Sequence, residues 1–481
     1  MTERRNSICQ RNVERSQAYR LPPEVFEQIL CTLDLEDRTS VARVCTLWRD
    51  YSALCIVVLP HAKYGISAGE ARRYDKQLAF LGSPLVRILN AALGPDTSND
   101  DFSATVTLVR QHMWHTERLS IVLKAAHLTE DKFDALVGCL SMPAHRLHTL
   151  ALYIVTRNDL EMFKDRCGWF GGCAPRLRRC QFLGPMFYSS IFASVQTLSV
   201  YHAPHSRVED LYVALNEFPC VEYLALLYSG GIPRPPPTRI SVSPRIKHLW
   251  LGYNTVRLLN DIECSDIPYI TTGLAAVPEG VWCSLIPRPA VELEIFLSSS
   301  QWVFFRTSDA LKRYRAFALS CLQSLSFRDV PTSVFATPTT LRVYILRALG
   351  PIPDMPNLCC LTVYLSHAVP TASLSHILVG SYFPSLHTVN MTFMFNPEVG
   401  RRTCTGEELA SFTATALSQP VHLTVRGANV VNPGLVALRA CVSTLSIEPD
   451  VYISATEPAW VQSMDFRRAW REEISLCDLA S

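Results

Sequence analysis

Apolar residues near the start of the chain fall at helical spacing. Val25, Phe26, Ile29, Leu30 and Leu33 recur three and four apart, and Pro22-Pro23 stands at the entry, where a missing N–H costs nothing. Leu33-Asp34-Leu35-Glu36-Asp37 supplies a turn rich in capping carboxylates, after which Val41, Val44, Cys45 and Trp48 resume the spacing. The pattern predicts two short amphipathic helices in a hairpin. About 30 residues bury too little core to stand alone, so one face has to pack on the rest of the chain or on a partner.

From Ala68 to Leu93 the spacing again reads as helix, with Tyr74, Leu78, Leu81, Leu85 and Leu89 on one face and a break at Gly82-Ser83-Pro84. Further along, a different unit recurs: apolar residues at i, i+3 and i+5. It is clearest at Leu147–Leu152, Leu177–Phe182, Val195–Val200, Val221–Leu226, Ile246–Leu251, Leu322–Phe327, Leu358–Val363 and Val442–Ile447. Weaker copies begin at Leu341 and Leu386, with partial ones at Leu119 and Leu423. Alternation at the last two positions puts both side chains on one face of a strand, while the first packs at the turn leading in. No unit can bury that face alone, so neighbours must stack into a parallel sheet.

Residues 255–320 interrupt the pattern, with Val291–Ile295 predicted as a strand and Asp309–Ala318 as a helix. Trp460, Met464, Phe466 and Trp470 lie on a charged helical background between Trp460 and Leu476, which suits a terminal cap.

Two resemblances follow from these residues. Leu21-Pro22, Glu24-Val25, Ile29-Leu30, Leu33, Asp37-Arg38, Val44-Cys45 and Trp48-Arg49 resemble the F-box motif, with Arg38-Thr39 standing where many F-boxes open their second helix on two leucines. The repeats resemble leucine-rich repeats, in a degenerate form. Successive clear copies start 30, 18, 26, 25 and 76 residues apart before the pattern resumes at Leu322, against roughly 20–29 in regular arrays. Together they resemble the fungal class of F-box proteins.

The expected fold is α/β, a helical F-box followed by an irregular leucine-rich-repeat-like solenoid with a parallel sheet. The expected organisation is a flexible leader (1–19), the F-box domain (20–60), a helical connector (61–110), the repeat domain (111–455) and a cap helix (456–481). The resemblance implies the substrate-recognition subunit of an SCF-type cullin-RING ubiquitin ligase. It would contact a Skp-type adaptor, and through it a cullin, by way of Leu21, Pro22, Val25, Phe26, Ile29, Leu30, Leu33, Val41, Val44 and Trp48, and hold a protein substrate on repeat residues that follow no code. A scaffold that binds the adaptor without promoting ubiquitination is the alternative reading.

Composition adds exclusions. At 481 residues with 48% hydrophobic and 18% charged content the chain reads as globular, and a net charge of +2 gives no footprint for nucleic acid or an anionic membrane. The polar first twenty residues lack a signal-peptide core and no apolar run reaches the ~18 residues of a span, so the expected location is cytoplasmic and/or nuclear. The 17 cysteines contain no CxxC pair; Cys45, Cys139, Cys220, Cys321, Cys359 and Cys441 sit in apolar segments and read as core residues.

Candidate chemistry is sparse. Gly65-Ile66-Ser67-Ala68-Gly69 matches GxSxG, but no alternating βα pattern surrounds it to build a hydrolase sheet, so a serine hydrolase using Ser67 is a remote alternative. The pairs His112/His115, His145/His148 and His202/His205 lack the further ligands a metal requires, and read as ordinary surface or core histidines. Pro233-Arg234-Pro235-Pro236-Pro237 formally contains PxxP and reads as a stiff loop. The expectation is a non-enzyme with no cofactor and no metal.

Arginine has displaced lysine: only Lys63, Lys76, Lys124, Lys132, Lys164, Lys247 and Lys312 occur among 45 basic residues. Nucleotide composition of the gene explains this most simply. A protein housed in a ubiquitin ligase would also gain by offering few acceptor amines. Replacing exposed arginines by lysine should then shorten its half-life in a cycloheximide chase, and an unchanged half-life counts against the second explanation.

Overall fold

The computed structural model describes residues 22–33, 35–44, 48–49, 57–58, 67–80, 86–93, 97–123, 129–154, 168–183, 189–202, 218–228, 240–241, 245–252, 262–272, 289–297, 302–320, 327, 330, 332–345, 352–367, 369–370, 381–395, 399–417, 419–451 and 460–461. The chain divides into two units between Val221 and Glu222.

The first unit opens with the hairpin, α1 (Pro23–Thr32) and α2 (Leu35–Ala42), followed by α3 (Ala68–Phe80), α4 (Asn99–His112) and α5 (Glu130–Leu140). Its sheet runs β1 (Val57–Val58), β2 (Val86–Leu93), β3 (Thr116–Leu123), β4 (Thr149–Ile154), β5 (Arg179–Leu183) and β6 (Thr197–His202), every neighbour parallel and in chain order. Residues 86–93, expected as the continuation of a helix, are β2. The helix stops at Phe80, and Val86–Leu93 lies between β1 and β3. A near-continuous apolar run in a parallel sheet carries no period that separates strand from helix.

The second unit holds β7 (Tyr223–Tyr228), β8 (Ile240–Ser241), β9 (His248–Leu251), β10 (Ile262–Glu263), β11 (Tyr269–Thr272), β12 (Glu292–Leu297), β13 (Trp302–Ser308), β14 (Tyr314–Ser320), β15 (Thr340–Ile345), β16 (Cys360–Leu365), β17 (Thr388–Phe393), β18 (Arg402–Thr405), β19 (His422–Arg426), β20 (Ala428–Val431) and β21 (Thr444–Glu448), with α6 (Gly406–Ala416) and α7 (Leu435–Cys441) late in the chain. Its main sheet is ordered β7-β9-β11-β14-β13-β12-β15-β16-β17-β19-β21, and β13 alone among these strands runs against its neighbours. Two short parallel pairs, β8 with β10 and β18 with β20, stand apart from it.

The i, i+3, i+5 reading is met in most copies, but not in Val442–Ile447, where Leu445 is half-buried and Ile447 exposed, nor in the copy begun at Leu341, where Leu341, Val343 and Ile345 are the buried positions. Leu147, Leu150 and Leu152, then Leu177, Cys180 and Phe182, then Val195, Leu198 and Val200 are all buried, as are Ile246, Leu249 and Leu251, Leu358, Leu361 and Val363, and Leu386, Val389 and Met391. The structure adds a fourth position. The N–H of residue i donates to the carbonyl at i−3 in Leu147, Leu177, Val195, Leu358 and Leu386, closing a turn, and the residues at i−3, Ala144, Ala174, Phe192, Met355 and Phe383, are buried as well. The i+1 carbonyl of one repeat then accepts from the next: His148 O takes the N–H groups of Arg178 and Arg179, and Arg178 O those of Gln196 and Thr197. In these repeats one copy therefore satisfies its neighbour's backbone as well as covering its core.

Asp309–Ala318, expected as a helix, is a turn and a strand. The Asp309 carboxylate accepts from the N–H groups of Leu311 and Arg313 and pairs with Arg313 Nε at 2.6 Å, and Lys312 takes φ 58°, which ends β13 and starts β14. Arg315 then sits on the core face, only 4% exposed. It is tolerated because its guanidinium donates to the carbonyls of Ile267 and Tyr314 at 2.9 Å and reaches those of Pro268 and Cys264 at 3.4 Å. Burial pulls its pKa down to about 10, which still leaves it charged at neutral pH.

Most of Leu322–Phe327, the proline run at 233–237 and all of the expected cap helix beyond Val461 lie outside the described residues. Of the cysteines named above Cys139 is buried and Cys220, Cys359 and Cys441 are half-buried, with no disulfide at any of the four; Cys45 and Cys321 are not described. No described helix is long and apolar enough to cross a membrane.

The two faces of one strand give a direct test. Leu361→Ala should lower stability by about 2–5 kcal/mol, the usual cost of emptying a closely packed leucine site. Thr362→Ala, on the opposite face, gives up a half-buried hydrogen bond from Asn390 Nδ2 at 3.3 Å and should cost only about 0.5–1.5 kcal/mol. Urea unfolding of the two variants measures both.

Candidate functional site

The hairpin separates its apolar residues into two groups. Leu30 is 1% exposed, and Leu33, Val41 and Trp48 pack against it, forming the small core that ties α1 to α2. Pro22, Val25 (39% exposed), Ile29 (46%) and Val44 (63%) stand outside that core. Pro22, Val25 and Ile29 follow one another at three- and four-residue intervals and so share a face of α1. The side chain of Phe26 and all of Leu21 lie outside the described residues.

Arg38 and Thr39, in the place of an apolar pair, are 2% and 3% exposed. They are accommodated locally. Arg38 Nη2 donates to Leu33 O at 3.3 Å and Thr39 Oγ1 to Leu35 O at 2.6 Å, so the hairpin's own carbonyls meet groups that would otherwise be costly to bury.

The hairpin also meets the rest of its unit through α3. Glu36 pairs with Arg73, while the guanidinium groups of Arg43 and Arg49 lie 5.9 and 5.2 Å from the centre of the Phe80 ring. Exposed contacts of this kind contribute only ~0.5–1 kcal/mol each, so they orient the hairpin more than they stabilise it.

α3 begins where the sequence offered a nucleophile. Ser67 Oγ accepts from Glu70 N at 3.2 Å and donates to Glu70 Oε2 at 2.8 Å, and Ser67 N donates to the same oxygen at 2.9 Å. That reciprocal arrangement is a capping box, and it gives Ser67 a structural task. Gly65 and Ile66 are not described.

Of the histidine pairs, His112 and His115 are buried, with His112 Nδ1 2.8 Å from His115 Nε2 and His112 Nε2 3.3 Å from Asp75 Oδ1. They join α4 to α3. Burial holds both imidazoles below the usual histidine range, His115 at about 4, with His112 and Arg146 adding to its depression and Asp75 opposing that of His112. His145 and His148 are exposed; the His202 side chain and His205 are not described. No group of three His, Cys, Asp or Glu that could hold a metal occurs among the described residues.

A second surface, absent from the sequence reading, is the polar face of the sheet in the second unit. Tyr223, His248, Tyr269 and Tyr314 stand side by side across β7, β9, β11 and β14, with Tyr269 and Tyr314 stacked at 5.2 Å. Next to them Glu294, Arg306 and Arg342 face one another on β12, β13 and β15. The buried Glu294 carboxylate meets Arg306 Nη2 at 2.8 Å and Arg342 Nη1 at 3.2 Å. The signal was present in the sequence, at the positions between the repeat's buried leucines.

An F-box-like family model matches residues 18–53, so the chain carries an F-box-like domain at its N-terminus. Among solved structures, the yeast Rad7 and Elc1 complex aligns over 92% of this chain and 97% of that one, at 9% identity and a TM-score of 0.21, too loose a superposition to compare residues. No curated protein matches the chain.

The histidine pair predicts a pH dependence. An imidazole kept neutral by the fold takes up a proton on unfolding, so its contribution to stability is present above the ordinary value of 6.5 and is lost as pH falls toward 4. The slope approaches ~1.4 kcal/mol per pH unit for each such group. His115→Gln should flatten the thermal midpoint between pH 6.5 and 4; parallel profiles for variant and wild type would count against the assignment.

Proposed function

We propose that this protein is the substrate-recognition subunit of an SCF-type cullin-RING ubiquitin ligase, with the N-terminal hairpin docked on a Skp-type adaptor and the repeat sheet holding a protein substrate. The observation that carries the reading is the division within residues 22–48. Leu30, Leu33, Val41 and Trp48 hold the hairpin together, and Pro22, Val25, Ile29 and Val44 are left as apolar side chains with a face to offer. The match to the F-box-like model over residues 18–53 agrees with it.

The mechanism is positioning. A substrate held beside a loaded ubiquitin donor reacts at a raised effective concentration, and the receptor contributes no group to the chemistry. The reading assigns Ser67 to a helix cap and the His112/His115 pair to a packing contact.

Two single substitutions separate docking from folding. Ile29→Asp puts a carboxylate on the exposed face of α1 and should cut affinity for the adaptor by tenfold or more, with no change in thermal midpoint. Leu30→Ala empties the hairpin's own core and should lower the stability of the N-terminal unit by about 2–5 kcal/mol as well as weaken binding. Adaptor titration by calorimetry with parallel melting curves decides it; undiminished binding by the folded Ile29→Asp variant would refute the docking assignment.

A further inference from the structure

We propose that the polar face around Arg306 is a docking site for an aromatic side chain presented by a polypeptide, and that this chain's own Trp460 occupies it. The inference rests on reading the sheet as the partner-binding part of the molecule and names the chemistry of that site.

Two aromatic rings converge on one guanidinium. The Arg306 guanidinium lies 5.1 Å from the centre of the Tyr314 ring and 5.1 Å from that of Trp460. Tyr314 belongs to β14, beside Arg306 in the sheet; Trp460 comes from beyond β21, 154 residues along the chain from Arg306. The Glu294 carboxylate at 2.8 Å fixes the plane of the guanidinium. Val461, next to Trp460, is 2% exposed, so these two residues are seated and not merely adjacent.

Tryptophan is the strongest ring partner for a guanidinium, and both residue types are enriched among those that carry interface binding energy. Charge fits as well. Arg306 and Arg342 share the single carboxylate of Glu294, leaving this trio one positive charge in excess. Residues 452–466 carry Glu457 and Asp465 and no basic residue. A tethered segment sits at an effective concentration on the order of millimolar, so even a modest contact is filled in cis. A substrate reaching this patch would present an aromatic residue flanked by carboxylates and would displace Trp460.

The test uses the full chain and a dye-labelled peptide of residues 452–466. Trp460→Ala should bind the peptide at least tenfold more tightly than wild type. Adding Arg306→Gln to that variant, or replacing the peptide's tryptophan by alanine, should abolish binding. Equal binding by wild type and Trp460→Ala, or binding indifferent to Arg306, would overturn the proposal.

If Trp460→Ala melts too low to assay, Arg306→Lys carries the test, because it keeps a charge for Glu294 and loses the planar guanidinium. Hydrogen exchange at 460–461 should then speed at least tenfold, and unchanged exchange would overturn the proposal. A concentration-dependent dimer in which Trp460 is protected only when associated would assign the site to a second copy and overturn occupancy in cis. No adaptor enters these assays, so their failure leaves the hairpin assignment standing, just as loss of the hairpin assignment leaves the Arg306 site to be judged on its own.

Discussion

The structure depends on one constraint: a strand of four to eight residues cannot bury its apolar face or satisfy its edge alone, so each repeat is stable only against the next. Side chains at i, i+3 and i+5 fill the core between strands and sheet-covering turns. The carbonyl at i+1 of one repeat receives the N–H groups of its successor, as His148 does for Arg178 and Arg179. Core and backbone thus propagate together, and the connections are free to vary. That freedom explains how copies spaced 30, 18, 26 and 25 residues apart all yield strands. It also accommodates the hairpin of β12 and β13, since β14 returns beside β11 in parallel and β15 resumes beside β12.

The same division of faces determines where recognition can occur. Leucines and valines between strands are committed to the core, leaving alternate positions for Tyr269, Tyr314, Arg306, Arg342 and Glu294. In the hairpin the division is made by helix rotation. Leu30 turns inward and Ile29 turns out, although the two are neighbours in sequence. Adjacent aliphatic residues therefore have different work, and substitutions at each report on different properties.

The parallel repeats were legible in the sequence because three apolar positions recur at fixed offsets. The i−3 position was not, because its occupants range from Ala144 to Phe192 to Met355 and share only burial. β2 was read as helix because Leu85 and Leu89 fit a four-residue spacing within an apolar run. Asp309–Ala318 has helical spacing too, with Leu311, Tyr314 and Ala318 three and four apart, and the turn within it depends on the Asp309 carboxylate, whose partners no local pattern announces. In the hairpin the apolar anchors were visible but their division between inside and outside was not. Arg38 and Thr39 looked like a departure from an apolar pair, and both prove to be buried with carbonyl partners inside the hairpin.

The proposed role as receptor of a ubiquitin ligase can be read from what the chain carries with it in cells. Isolating the tagged full-length protein from cells under proteasome inhibition, with bound proteins quantified by mass spectrometry, tests it most directly. A receptor should bring with it a Skp-type adaptor in near-equal amount to the chain, a cullin, and ubiquitin-modified peptides from at least one further captured protein. Recovery of the folded chain with neither adaptor nor cullin would contradict it.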